Sequence, residues 1–228
     1  MSENYSVQDY VDDLRTTVAS AETESEILSK VRPLAQKLVE NRDAWIKPEH
    51  YQVNDERGSS LYVLHEEEDH TLMVFAACFR PGRVTPVHDH GTWAVVAGVD
   101  GEEKNTIYKR IDDGSKPGQG EIQLRGVKDV RQGDAIGMPS GTFHTVSNVS
   151  DEVSVSLHTY GMNTNHTVRC QIDPETGKVE EFKIPLREGE GGGGLATPRP
   201  VSGSQDNRAR SQDTLPRCHA IRASQLNR

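Results

Sequence analysis

Two histidines one residue apart, His88 and His90, and a third far downstream, His144, are the side chains here with the clearest capacity for chemistry. On an extended strand, side chains at i and i+2 share a face, so His88 and His90 can serve one ion. His144 follows a turn marked by Pro139 and Gly141. Three neutral imidazoles suit iron, zinc, copper or nickel, and the ligand set alone does not choose among them. A second group lies in the run Val153-Ser-Val-Ser-Leu-His-Thr-Tyr160. Alternation there puts Ser156, His158 and Tyr160 on one strand face, where hydroxyl, imidazole and phenol can form a relay. Taken alone, each pattern has a bland reading: exposed polar residues on a strand, or a satisfied core histidine. His65 and His70 bracket an acidic hairpin tip and read as solubilising. His166 and His219 lie outside any strand-paired spacing and read as surface residues.

The elements that must position these groups follow from hydrophobic spacing. Val7, Tyr10, Val11 and Leu14, then Ile27, Val31, Leu34, Leu38 and Trp45, recur at helical intervals, which predicts two helices within residues 1–50. From Tyr51 the texture changes to short β-prone runs, LYVL, TLMVFAACF, WAVVAGV, TIYKR, EIQL, DAIGM, TVSNV and VSVSLHTY, divided by Gly, Pro and acidic turns. Many short strands with frequent turns predict an all-β jelly roll over residues 51–186. Residues 187–228 are rich in Gly, Ser, Pro, Gln and Arg with almost no periodic apolar residues, a composition expected to stay disordered.

Bulk properties narrow the function classes. Lysine and arginine number 26 against 35 acidic residues, a net charge of -9, and the computed pI is near 5.5. Recognition of a phosphate backbone needs clustered basic residues, so nucleic acid is not expected as a partner. No secretory leader and no bilayer-spanning run are legible, and the expectation is a soluble cytoplasmic protein. Cys78, Cys170 and Cys218 form no CxxC pair, and their spacing suggests neither a disulfide framework nor a zinc knuckle.

Gly82, His88, His90 and Gly101, followed by Gly133, Pro139, Gly141, His144 and Asn148, are similar to the paired cupin motifs G-x5-H-x-H-x3-E-x6-G and G-x5-P-x-G-x2-H-x3-N. The second motif is complete. In the first, Ala94 stands where cupins usually carry a glutamate ligand. Three neutral ligands leave a divalent ion its full charge and open positions, which favours an anionic incoming ligand such as a thiolate. Together with the Ser156, His158, Tyr160 alternation, this pattern resembles the thiol dioxygenase family, of the cysteine dioxygenase and bacterial 3-mercaptopropionate dioxygenase type, over roughly residues 25 to 185.

The resemblance implies a cupin jelly-roll (double-stranded β-helix) barrel with Fe(II) on His88, His90 and His144. It implies an outer relay of Ser156, His158 and Tyr160, with Arg169 near a substrate carboxylate. The reaction implied is addition of both atoms of O2 to the sulfur of a small thiol carboxylate, giving a sulfinic acid. Gly91 to Gly101 contains no cysteine, so the cysteine–tyrosine crosslink of mammalian cysteine dioxygenases is not expected. Leu61 falls where the family carries an arginine or glutamine that helps choose the thiol, and Arg80 and Arg83 are possible substitutes. The particular thiol and the oligomeric state stay open. Alternatives are another metal-dependent oxidative cupin, a zinc or nickel isomerase, and a non-enzymatic cupin that binds a small molecule.

Overall fold

The computed structural model describes residues 5–183. The segment expected to be disordered, 187–228, lies outside the described residues. Ser6 caps α1 (Val7–Ser20): its hydroxyl accepts the Asp9 N–H at 3.1 Å, and the Asp9 carboxylate accepts the Ser6 N–H at 2.9 Å. This reciprocal pair satisfies two amide donors that a helix start leaves unpaired. Thr23 caps α2 (Glu24–Glu40) by accepting the Glu26 N–H. The apolar stripes, Tyr10, Val11 and Leu14 on α1 and Leu28, Val31, Ala35 and Leu38 on α2, are buried.

The strands are β1 (Ser59–Glu66), β2 (Thr71–Phe79), β3 (Ala94–Asp100), β4 (Glu102–Arg110), β5 (Ile122–Arg131), β6 (Ala135–Met138), β7 (Thr142–Asn148), β8 (Ser154–Met162), β9 (Cys170–Ile172) and β10 (Val179–Glu181). Their ladders are antiparallel. One sheet has the order β1-β2-β8-β3-β6, a second β5-β4-β7, and a short pair joins β10 to β9. Residues of β2, β3 and β8 cluster with Val146 of β7 and Ile107 of β4, so the two larger sheets face each other across a barrel interior. The helices cover the outer face of the five-stranded sheet. This is the cupin jelly roll, with an all-β body and two helices ahead of it.

Burial on both faces explains the uninterrupted apolar run of β2. Leu72, Val74, Ala76 and Cys78 pack under the helices, while Met73, Phe75, Ala77 and Phe79 fill the barrel. β8 alternates likewise. Val155 and Leu157 join the helix-side core, and the Thr159 hydroxyl meets the Tyr10 hydroxyl of α1 at 2.6 Å. Ser154, Ser156, His158 and Tyr160 therefore point into the barrel.

Three sequence expectations change. His88 and His90 lie in an extended segment rather than in a ladder strand, and His88 is held by isolated bridges to His144 and Gln171. β4 starts at Glu102, four residues before the apolar texture suggested, because its first residues are polar. Cys170 is disulfide-bonded, whereas Cys78 is a buried thiol whose Sγ donates to the Gln52 carbonyl at 3.4 Å. Sequence spacing does not reveal which thiols a fold brings together. Among the described residues no helix is long and apolar enough to cross a membrane.

Candidate metal centre

The segment carrying His88 and His90 is pinned on both sides. The His88 N–H donates to the His144 carbonyl at 3.0 Å and the His144 N–H returns to the His88 carbonyl at 2.9 Å. Asp89 faces the other way, and its carboxylate accepts the Cys170 N–H at 2.6 Å. The i, i+2 alternation thus survives without a regular ladder. Gly91 adopts φ +65°, and a Cβ there would stand 2.9 Å from Thr167 and from the Val168 carbonyl. Glycine is therefore what lets the chain ahead of Arg169 lie against the histidine segment.

The imidazole nitrogens of His88, His90 and His144 lie within 4.8 Å of one another, with His90 Nε2 and His144 Nε2 3.1 Å apart. Two nitrogens each about 2.1 Å from one ion, at right angles, stand about 3.0 Å apart, so this spacing fits two neighbouring ligands. His88 Nδ1 meets the Pro86 carbonyl at 2.9 Å and His144 Nδ1 meets Asn105 Oδ1 at 3.0 Å. An Nδ1–H donated to each acceptor leaves Nε2 as the lone-pair donor, the usual second layer of a metal-binding histidine. Burial pushes the His88 imidazole down to about 4 and holds His90 and His144 well below the ordinary histidine range. All three are neutral at physiological pH, the state a metal requires.

The relay residues form a continuous line. Ser156 Oγ is 2.9 Å from His158 Nε2, His158 Nδ1 is 3.1 Å from the Tyr160 hydroxyl, and that hydroxyl is 3.2 Å from His90 Nε2. Phe75 stacks on His158 with ring centroids 4.9 Å apart and meets Tyr160 edge-on at 5.0 Å, fixing both rings. Ala94 is the cross-strand partner of Tyr160. Its methyl leaves room for the phenol to reach His90, so the position that lacks the usual cupin glutamate adjoins the tyrosine.

A cavity of about 420 Å³ opens beside the group and is lined by Leu61, His88, His144, His158, Tyr160 and Arg169, among others. Ser156 and His90, both buried, stand behind that wall. Arg169 is only 2% exposed. Its Nε donates to the Phe182 carbonyl at 2.9 Å, its guanidinium lies 4.4 Å from the centroid of the Phe182 ring, and its Nη2 is buried without a hydrogen-bond partner. A buried donor left unpaired is costly, and an anionic ligand in the cavity would satisfy it. Leu61 is the cross-strand partner of Ala77, and Arg80 and Arg83 line the same cavity.

Two residues that support this centre were not legible in the sequence. Asn105, which orients His144, and Glu103, which is buried beside Ser154, occupy inward positions in the polar start of β4. The extra strand length was the missing signal. A second group with ligand-like spacing, Glu66, His70 and His166, sits at the surface, where His70 stacks on His166 at 3.5 Å and its Nδ1 meets Glu66 at 2.8 Å.

No family model matches the chain. Similar solved structures include an oxalate oxidase in complex with the substrate analogue glycolate, 19% identical with a TM-score of 0.39 over 51% of this chain and 59% of that one. The cupin domain of Schizosaccharomyces pombe Cnp3 is 13% identical, with a TM-score of 0.37 over 47% of this chain and 63% of that one. An RmlC-like cupin from Methanocaldococcus jannaschii with a double-stranded β-helix fold is 10% identical, with a TM-score of 0.36 over 50% and 89%. This chain thus spans under two thirds of the oxalate oxidase chain. Likeness at this level says nothing about the reaction, which rests on the site alone. Fold and site together define a jelly-roll barrel with a three-histidine group able to hold a metal.

Proposed function

We propose that the protein is a non-haem Fe(II) thiol dioxygenase that adds both atoms of O2 to the sulfur of a small thiol carboxylate, giving a sulfinic acid. The observation that carries this reading is the hydrogen-bonded line from Ser156 through His158 to Tyr160, whose hydroxyl stands 3.2 Å from His90 Nε2 at the metal-ligand group. When bound, Fe(II) would supply a charge that holds sulfur as thiolate and the electrons that make O2 reactive. The remaining work falls to the chain. Arg169 would grip the substrate carboxylate with its unpaired Nη2, and a guanidinium fork suits that task. Tyr160 would hold or pass a proton at the reacting sulfur, and Phe75 and Met73 would keep water from the cavity wall. Leu61 offers no polar contact, so thiol selectivity would fall to its size and to Arg80 and Arg83 at the cavity.

The test is O2 consumption by protein fully loaded with Fe(II), against cysteine, 3-mercaptopropionate, mercaptosuccinate and cysteamine. Rapid uptake is expected with at least one carboxylate thiol and little with cysteamine, which has no carboxylate. No thiol-dependent uptake would sink the reading. Tyr160→Phe should retain iron while lowering kcat about 100-fold, the ordinary scale for losing a positioned proton-transfer group.

A further inference from the structure

Glu103 is a carboxyl in the barrel interior, 2% exposed. β5 presents Val130 and β7 presents Asn148 opposite it. β8 brings the Ser154 hydroxyl to Oε1 at 3.1 Å. The Ser156 hydroxyl, the next inward one on β8, lies close enough to hold the carboxyl's pKa down, while Oε2 is buried without a hydrogen-bond partner. The titratable groups that face the barrel interior from the packed elements are His158 and Tyr160 of β8, in line beyond Ser156, and His144 of β7; Lys128, Asp129 and Arg131 of β5 are exposed. Glu102 and Arg131 pair with each other outside the barrel. A buried carboxylate with no cation beside it is expensive. Burial accordingly pushes Glu103 up to about 7, against the two serine hydroxyls that hold it down.

The placement gives this group a second significance. Ser156 stands between Glu103 and His158, so the line that ends at Tyr160 starts at a carboxyl. With Glu103 ionised, each hydroxyl or N–H in the line points inward: Ser156 toward Glu103, His158 Nε2–H toward Ser156, and Tyr160 toward His158 Nδ1. With Glu103 protonated every bond reverses, and Tyr160 presents its O–H to the cavity.

We propose that Glu103 is the inner terminus of the Ser156–His158–Tyr160 line, the group that stores the proton a thiol loses on binding as thiolate. This rests on the thiol reading above. The balance is closed without any further reactant. The S–H bond breaks and its proton goes to the Tyr160 oxygen. The phenol proton moves to His158 Nδ1, the proton on Nε2 moves to Ser156 Oγ, and the serine proton moves to a Glu103 oxygen. A thiol and a carboxylate become a thiolate and a carboxylic acid, and Tyr160 is left with its O–H turned toward the substrate. Glu103 touches no substrate in this scheme and is a positioning residue.

The experiment follows anaerobic thiol binding to the Fe(II)-loaded protein at about pH 7, inside the Glu103 titration, where a change in its proton affinity alters its occupancy most. Infrared difference spectra read the carboxylic-acid C=O stretch, and calorimetry in buffers of different ionisation enthalpy counts the protons released. A thiolate that accepts the Tyr160 O–H favours the orientation of the line that goes with protonated Glu103, so binding raises that carboxyl's proton affinity: wild type should gain a protonated-carboxyl band and release clearly less than one proton. Glu103→Gln should lack the band and release about one proton per thiol bound, and Glu103→Asp should restore part of the storage. Ser156→Ala, which leaves the carboxyl but interrupts the line, should also release the proton; it decides the matter if Glu103→Gln fails to fold. A thiol that binds wild type with no gain in the carboxyl band, or with full proton release, would overturn the assignment of Glu103. Failure of any thiol to bind would instead overturn the thiol reading itself.

Discussion

The two groups of ligand-type side chains, one in the barrel and one at its surface, have similar internal spacing and very different surroundings. His88, His90 and His144 are buried, and two of them have their second nitrogens fixed by Pro86 and Asn105. Glu66, His70 and His166 also bring ligand atoms within 4.8 Å. There the His70 nitrogen nearest Glu66 is already engaged with it, and His166 is exposed. Ligand spacing alone therefore does not make a centre. What distinguishes the barrel group is burial that keeps imidazoles neutral, acceptors that orient them, and a cavity with an unpaired buried donor.

Single substitutions test that contrast, and the largest effect should come from the ligands. His144→Ala should abolish stoichiometric iron binding and turnover, whereas His70→Ala should change neither; metal analysis of the purified variants checks both. Equal loss in the two variants would erase the distinction. Next is Arg169, the buried guanidinium with an unpaired donor at the barrel group. Truncating one partner of a buried, hydrogen-bonded charge pair costs about 2 to 5 kcal/mol, so Arg169→Gln should lower kcat/KM for carboxylate thiols by about 100-fold or more. Activity toward cysteamine, expected to be low in wild type, should change little.

Asn105→Ala removes only the acceptor behind His144. Loss of such a partner commonly weakens metal affinity by about 10- to 100-fold, which competition with a chelator would measure.

The histidines and the relay were readable because their chemistry follows alternation. Ser156, His158 and Tyr160 share the inward face of β8, as a period of two requires. His88 and His90 share a face even though their segment pairs only through bridges. Asn105 and Glu103 were hidden because Glu102-Glu-Lys-Asn105 reads as a turn by composition, and only pairing with β5 and β7 reveals it as strand. The burial of Arg169 was equally hidden. It depends on Phe182 and on close approach at Gly91, contacts that no local pattern records.

Desolvation that keeps the imidazoles neutral also keeps a proton on Glu103, and the two effects have opposite pH signs. Between the ordinary carboxyl value of 4.5 and about 7, the folded protein holds a proton on Glu103 that the unfolded chain has lost. Stability from this group is complete below that window and is lost as pH rises through it. His88, lowered from 6.5 to about 4, acts oppositely: its contribution is present above the unfolded value and is lost as pH falls through the folded one. The difference in melting temperature between wild type and Glu103→Gln, followed across pH, isolates the carboxyl. That difference should shift against wild type as pH rises from 4.5 to about 7. A flat difference would mean that Glu103 is not held protonated, the smallest of these effects but one that bears directly on the interior line.

The central claim is that the three-histidine group and its relay direct both atoms of O2 onto one sulfur. Mass spectrometry of the product formed by Fe(II)-loaded protein from a carboxylate thiol under ¹⁸O₂ tests it most directly. The expected product is a sulfinate with both oxygens labelled. A disulfide, or a sulfinate carrying oxygen from water, would contradict it.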